Sequence, residues 1–464
     1  EGVCDRILAL EAENKDRRGW VWADLGYSTL AHALEPLSRL AKLARSPLGG
    51  VSLKGMAADY AAEGWRCDRA ALDAMNHAKA PSDNALIAKV VRALYAPWLD
   101  KSARKFQELA TKNETEYRQL VSGVNAEPET CVVFADGLRF DVAGMLQERL
   151  EQRGLSVKLG HRIAPVPTVT ATAKPIASPA YAACEGGPSS EDFSPFLSTS
   201  KQSVNASRLR DEMARQGVEI LEPDETTLAA KTDKGGWTEI GHLDEMGHSL
   251  GISLVRQIDV EVEAIADRVA ALLGTGWTRV RVVTDHGWLL VPGGMPKVEL
   301  PAYLVATKWA RCASVRGEST PAVPTFPWHW NPQARIASPP GIGSFTVNTE
   351  YAHGGVSLQE CVVPELLIER GEVSLKAHIT EISWRGMRCR IVVETNAVGL
   401  RVELRRNWKQ ADPEGQRIAA AKDLGSNGQV SLAVERDEYE GTAAMAVVLD
   451  GKGRVLDSRA TTIG

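Results

Sequence analysis

Three of the chain's nine histidines stand beside residues that suit metal ligation. Asp244-Glu-Met-Gly-His248 sets a carboxylate and an imidazole four apart. In a helix both would face one way and share a cation; the same pair also fits a capping Asp and a surface His. Thr284-Asp285-His286-Gly287 ends an apolar run. Adjacent Asp and His diverge in an extended strand, but a turn at its end converges them, and the glycine permits close backbone approach. His353-Gly354-Gly355 presents a third imidazole on a loop.

A fourth element is Asp136 in Phe134-Ala-Asp136-Gly-Leu-Arg139-Phe-Asp141. Its carboxylate suits either a helix cap or a divalent cation. Arg139 suits a phosphate or a neighbouring acid. The fifth is Pro167-Thr168-Val-Thr170-Ala-Thr172-Ala-Lys174-Pro175. Its threonines are caps, or one is a nucleophile activated by a cation at a helix start. Together these groups suffice for two tetrahedral sites of the zinc type. Two such cations clamp the attacking and leaving oxygens of an in-line displacement at phosphorus.

The elements that must position these residues are legible in outline. Residues 1–127 read as helical: Leu30, Leu34, Leu37 and Ala41 recur at helical spacing, with further patches at 85–99 and 105–121. Cys131 to Ala135 and Val280 to Thr284 read as buried parallel strands ending in Asp-Gly and Asp-His-Gly. The first is followed by a helix carrying Val142 and Leu146. The second is preceded by one carrying Val262, Ile265, Val269 and Leu272 and ending at Gly274. Alternation of this kind predicts an α/β core with a mostly parallel sheet over 128–370, with its chemistry just beyond strand C-termini. Gly186 to Ser190 and Gly235-Gly236 suggest surface loops, and 310–345 a long loop. From 371 to 464, short alternating runs and a hairpin signal at Asp450-Gly-Lys-Gly453 predict a β-sandwich.

Bulk properties exclude little of this. A net charge of −5 argues against coating nucleic acid by bulk charge but allows a local basic groove. Seven scattered cysteines without a CxxC pair suggest reduced thiols in a cytoplasmic protein. No apolar run is long enough for a transmembrane helix, so no membrane is expected. The opening Glu1-Gly2-Val3-Cys4 reads as the start of a trimmed piece of a longer protein.

In order and spacing the motifs resemble the alkaline phosphatase superfamily, and more closely its PglZ family. The resemblance covers about residues 128 to 370 and rests on Asp136-Gly-Leu-Arg-Phe-Asp141, Pro167-Thr-Val-Thr170, Asp244-Glu-Met-Gly-His248, Thr284-Asp-His-Gly287 and His353-Gly-Gly-Val-Ser-Leu-Gln-Glu360. It implies an alkaline-phosphatase-like fold with two divalent cations, Zn or Mn. One would be held by Asp244, His248 and His353, the other by Asp136, Asp285 and His286. Thr170 would be nucleophile and bridging ligand, with Thr168 as the alternative, and Arg139 a candidate for substrate. The resemblance further implies phosphoester or phosphodiester hydrolysis of nucleic acid or nucleotides. PglZ proteins belong to BREX phage-exclusion systems, beside a DNA methyltransferase and ATPases. A non-catalytic subunit with a structural metal site is the competing expectation.

Overall fold

The apolar run at Cys131 folds as β1 (Thr130–Ala135), all six residues buried. It is followed by α1 (Phe140–Gln152), β2 (Leu155–Ile163) and the short α2 (Thr170–Ile176). Then come β3 (Glu219–Ile220), β4 (Gly236–Ile240), α3 (Leu243–Leu250), α4 (Ile258–Thr275), β5 (Arg279–Val283) and, later, β6 (Val362–Arg370). This is a computed structural model describing residues 2–19, 29–77, 81–187, 191–225, 233–370, 376–406, 417–425, 427–451 and 453–464. The expected hairpin tip and the loop from Gly186 lie partly outside these residues.

The six strands form one sheet in the order β2-β6-β5-β1-β4-β3. β1 pairs parallel with β4 and β5, and β3 parallel with β4; β6 runs antiparallel to β5. The C-terminal ends of β1, β4 and β5 therefore share one edge, where such sheets place ligands. Val132, Phe134, Trp237 and Val283 pack in one core on the sheet.

Two compact units make up the chain: 1–147 with 158–369, and 148–157 with 370–464. The helical residues at the start thus lie in the same unit as the sheet. Pro81–Lys112 is one helix running through Pro97, where separate patches were expected, followed by Glu114–Leu120. Asp68, on the helix Trp65–Asn76, ties this region to the sheet. Buried, it accepts from Tyr60 Oη at 2.7 Å, from Tyr95 Oη, and from Gln359 Nε2 at 3.1 Å. Burial pushes its carboxyl up to about 6.

Three boundaries correct the sequence reading. Helix α4 runs through Gly274 and stops at Gly276, whose φ of 121° needs a glycine. Gly236 opens the buried strand β4 instead of a loop; a Cβ there would lie 2.6 Å from the Trp277 ring. Residues 305–337 form a four-stranded antiparallel sheet in place of a long loop. Three of its strands have three residues each, too short to leave an alternating pattern.

The second unit contains a three-stranded and a four-stranded antiparallel sheet. Ile379, Ile391 and Leu432 of one and Val402, Leu404 and Val448 of the other share one core. That is the packing a sandwich requires. All seven cysteines are free thiols. Among the described residues, no helix is long and apolar enough to cross a membrane.

Candidate metal centre

Six expected carboxylate and imidazole positions arrive at one edge of the sheet by four routes. Asp136 directly follows β1, and Asp285-His286 follow β5 and Thr284. Asp244 and His248 occupy the first and last turns of α3, one above the other as the spacing of four predicts. His353 follows the short strand Tyr351–Ala352. Gly137, with φ at 66°, lets the chain turn against α3; a Cβ would lie 3.1 Å from that of Asp244.

Two groups of donor atoms result. Asp136, Asp285 and His286 form one; Asp244, His286 and His353 form the other, with donor atoms within 4.8 Å of one another. His248 adjoins the second group. Its Nε2 lies 2.9 Å from His353 Nε2 and 3.6 Å from Asp244 Oδ2, while His353 Nε2 is 3.2 Å from Asp244 Oδ1. His286 Nε2 is 3.8 Å from Asp136 Oδ1 and 3.7 Å from Asp285 Oδ2. The His286 and His353 rings stack at 3.9 Å, so His286 stands between the groups.

Do these residues fit cations? Zinc ligands at about 2.0–2.1 Å in a tetrahedron sit about 3.3–3.5 Å apart, which matches the observed spacing. The ring tautomers agree. His286 Nδ1 faces Gly287 O at 3.1 Å, and His353 Nδ1 faces Thr168 O at 2.9 Å. A carbonyl only accepts, so each Nδ1 carries hydrogen and each Nε2 faces inward, where its lone pair would serve a cation. Asp136 Oδ1 and Asp285 Oδ2 are buried with no hydrogen-bond partner. An unpartnered buried carboxylate oxygen is costly, and a cation removes the cost.

The electrostatics follow from this crowding. Burial, then the charge of Asp285, pushes Asp136 up to about 7; burial, then Asp244, pushes Asp285 up to about 6. Burial, aided by His353, holds His286 down to about 4. Burial opposes ionisation of both Asp244 and His353, but their mutual contact prevails. Asp244 sits well below the usual carboxylate range and His353 is lifted to about 9. Tyr351, which the sequence did not single out, donates to Asp244 Oδ1 at 2.8 Å.

The two threonines separate cleanly. Thr168 Oγ1 donates to Gly355 O at 2.8 Å and accepts from Gly354 N at 3.1 Å, pinning the His353 loop. Thr170 Oγ1 lies 3.1 Å from His286 Nε2. Trp328 and Trp330 brace the same segment, donating to Thr172 Oγ1 and Thr172 O.

Arg139 requires correction. It is 1% exposed and fork-bonded to Asp141 at 2.6 and 2.7 Å, with its guanidinium 3.8 Å from the Trp288 ring centre. Adjacent carboxylate and arginine satisfied each other, so the side chain is closed to substrate. Glu245 points away from the centre, exposed beside His242.

A buried ion pair supports the third imidazole. Arg311 grips Glu360 at 3.1 and 2.7 Å, and Glu360 accepts from Gly355 N at 2.8 Å and Ser357 Oγ at 2.7 Å. Arg311→Met strands that carboxylate in the core. We expect a loss of about 3–5 kcal/mol in denaturant unfolding.

No family model matches the chain, and no curated protein matches it. Similar solved structures include two of murine ectonucleotide pyrophosphatase/phosphodiesterase 5, one of them an inactive variant in complex with AMP, and one of the human protein. Each is 11% identical, covering 52% of this chain and 88% of its own, with TM-scores of 0.33, 0.33 and 0.32. So loose a likeness carries no residue roles across.

Proposed function

We propose that the chain is a metal-dependent phosphoester or phosphodiester hydrolase of the alkaline phosphatase superfamily, of the PglZ type. Its substrates in this reading are nucleic acid or nucleotides, and its setting is a BREX anti-phage system beside the methyltransferase. One observation carries the enzymatic reading. Two unpartnered buried carboxylate oxygens, on Asp136 and Asp285, converge with the inward-facing Nε2 of His286, against which the Thr170 hydroxyl rests. A structural metal site needs no hydroxyl there.

Asp136, Asp285 and His286 would hold one cation, and Asp244, His248 and His353 the other. Bound zinc or manganese supplies positive charge that eases deprotonation of the Thr170 hydroxyl and neutralises charge developing at phosphorus. Thr170 Oγ1 attacks phosphorus, its bond forming as the bond to the leaving alkoxide breaks. Water then attacks the phosphothreonine, releasing phosphate or phosphomonoester and restoring the hydroxyl. Tyr351 holds Asp244, and the Gly287 and Thr168 carbonyls hold the two imidazoles in ligating tautomers.

The test is hydrolysis of bis(p-nitrophenyl) phosphate by protein loaded with zinc or manganese. Thr170→Ala is expected to lower turnover about 10³-fold or more while keeping bound metal. Undiminished turnover in that variant removes Thr170 from the reaction.

A further inference from the structure

A two-cation site that carries a phosphoryl group on a threonine still needs something to hold that group's outward oxygens. Arg139 is closed off. A second cation at this edge, Lys174, arrives by simple register. Lys174 lies four residues after Thr170 on α2, one turn along the same face. Its Nζ sits 4.4 Å from the centre of the Phe134 ring. Phe134 lies in β1 two residues before Asp136, which directly follows the strand.

The ammonium rests on Glu239 of β4, the register partner of Phe134, at 2.8 Å from Oε2. Lys174 is 13% exposed. Glu239 has other support: its Oε1 accepts from Trp237 Nε1 at 3.2 Å and from Arg210 Nε at 3.4 Å. Lys174 can therefore leave Oε2 without stranding the carboxylate. Its charge already reaches the centre, where it favours the ionised forms of both Asp136 and Asp285.

We propose that Lys174 is the cation that binds the phosphoryl group at Thr170, exchanging its resting partner Glu239 for phosphate oxygens. A helical i,i+4 spacing puts a lysine ammonium within reach of a group carried on the threonine one turn before it. The head swings about its flexible stem, leaving Glu239 Oε2 and the Phe134 ring, as long cationic side chains can. No bond is made or broken by Lys174; it holds the tetrahedral group in place for attack and then for release. This extends the phosphoester reading of the same site but makes its own binding prediction.

The experiment is calorimetric titration of the metal-loaded full chain with inorganic phosphate, with bound metal and thermal unfolding measured in parallel. Lys174→Met should weaken phosphate binding at least tenfold, and Lys174→Arg should restore part of it, with metal content unchanged in both. Glu239→Gln, which frees the lysine, should tighten phosphate severalfold; it also serves as the deciding variant if Lys174→Met does not fold. Phosphate affinity that is unaltered in Lys174→Met, or unaltered or weakened in Glu239→Gln, overturns the proposal. So does a parent chain that binds no phosphate. Lysine-dependent phosphate binding in a chain that hydrolyses no phosphoester keeps this site and removes the hydrolase reading.

Discussion

Asp285→Asn is expected to lower phosphodiester hydrolysis by roughly 10⁴-fold or more, with little change in folding. The replacement keeps the side chain's shape. It also keeps an oxygen where Oδ1 accepts from His286 N at 3.0 Å. What it removes is the negative charge on a group that is 2% exposed and whose Oδ2 has no partner. In metal-free protein that charge is a burden, so the variant should unfold at or slightly above the parent's temperature. In the loaded protein the same charge is the reason a cation stays. Activity and stability should therefore move in opposite directions, which ordinary damage to the fold does not produce. Melting curves of chelated parent and variant, set beside hydrolysis of bis(p-nitrophenyl) phosphate, check it. Retained activity would remove Asp285 from the reaction.

Chelation should expose the second large effect, a pH-dependent loss of stability. The cleanest window is about pH 7.5 to 9. There His286, held down to about 4 in the fold, is mostly neutral in the unfolded chain as well, and Asp285, at about 6, is mostly ionised in both. Within the centre, two groups still titrate differently. Asp136 at about 7 and His353 at about 9 both hold protons in the fold that the unfolded chain has released. Where the folded state binds more protons, stability falls as pH rises. Metal-free protein should thus melt at a lower temperature at pH 9 than at pH 7.5. Zinc or manganese takes the place of those protons, so the gain on loading should grow across the same window. Cation at about 1,000 times its dissociation constant adds roughly 4 kcal/mol. Thermal unfolding with chelator and with metal at the two pH values tests this. A gain that shrinks toward pH 9 contradicts the assigned ligands.

How much of this was legible in the sequence depended on what each residue needed from elsewhere. Asp136, Asp285 and His286 announce themselves because continuous apolar runs end at them, and a buried parallel strand leaves that local trace. The pairing of Asp244 with His248 follows from helical geometry alone. The sharing of His286 between two donor groups did not follow, because it depends on how β5 meets the His353 loop. Arg139 misled because an arginine near a strand end looks the same whether it meets a phosphate or its own neighbour Asp141. Lys174 had a signal, its spacing of four from Thr170, but its significance rests on Phe134 and Glu239 of two different strands. Gly236 looked like a turn because the bulk that excludes a side chain there, Trp277, lies 41 residues away in the sequence.

The proposed function stands or falls on whether these side chains form two divalent-cation sites serving phosphoryl transfer. Its most direct test is the metal content of the full chain after dialysis against zinc and then against metal-free buffer at pH 8. Two ions per chain are expected, falling to one or fewer in Asp285→Asn. A parent chain that retains no metal would contradict it.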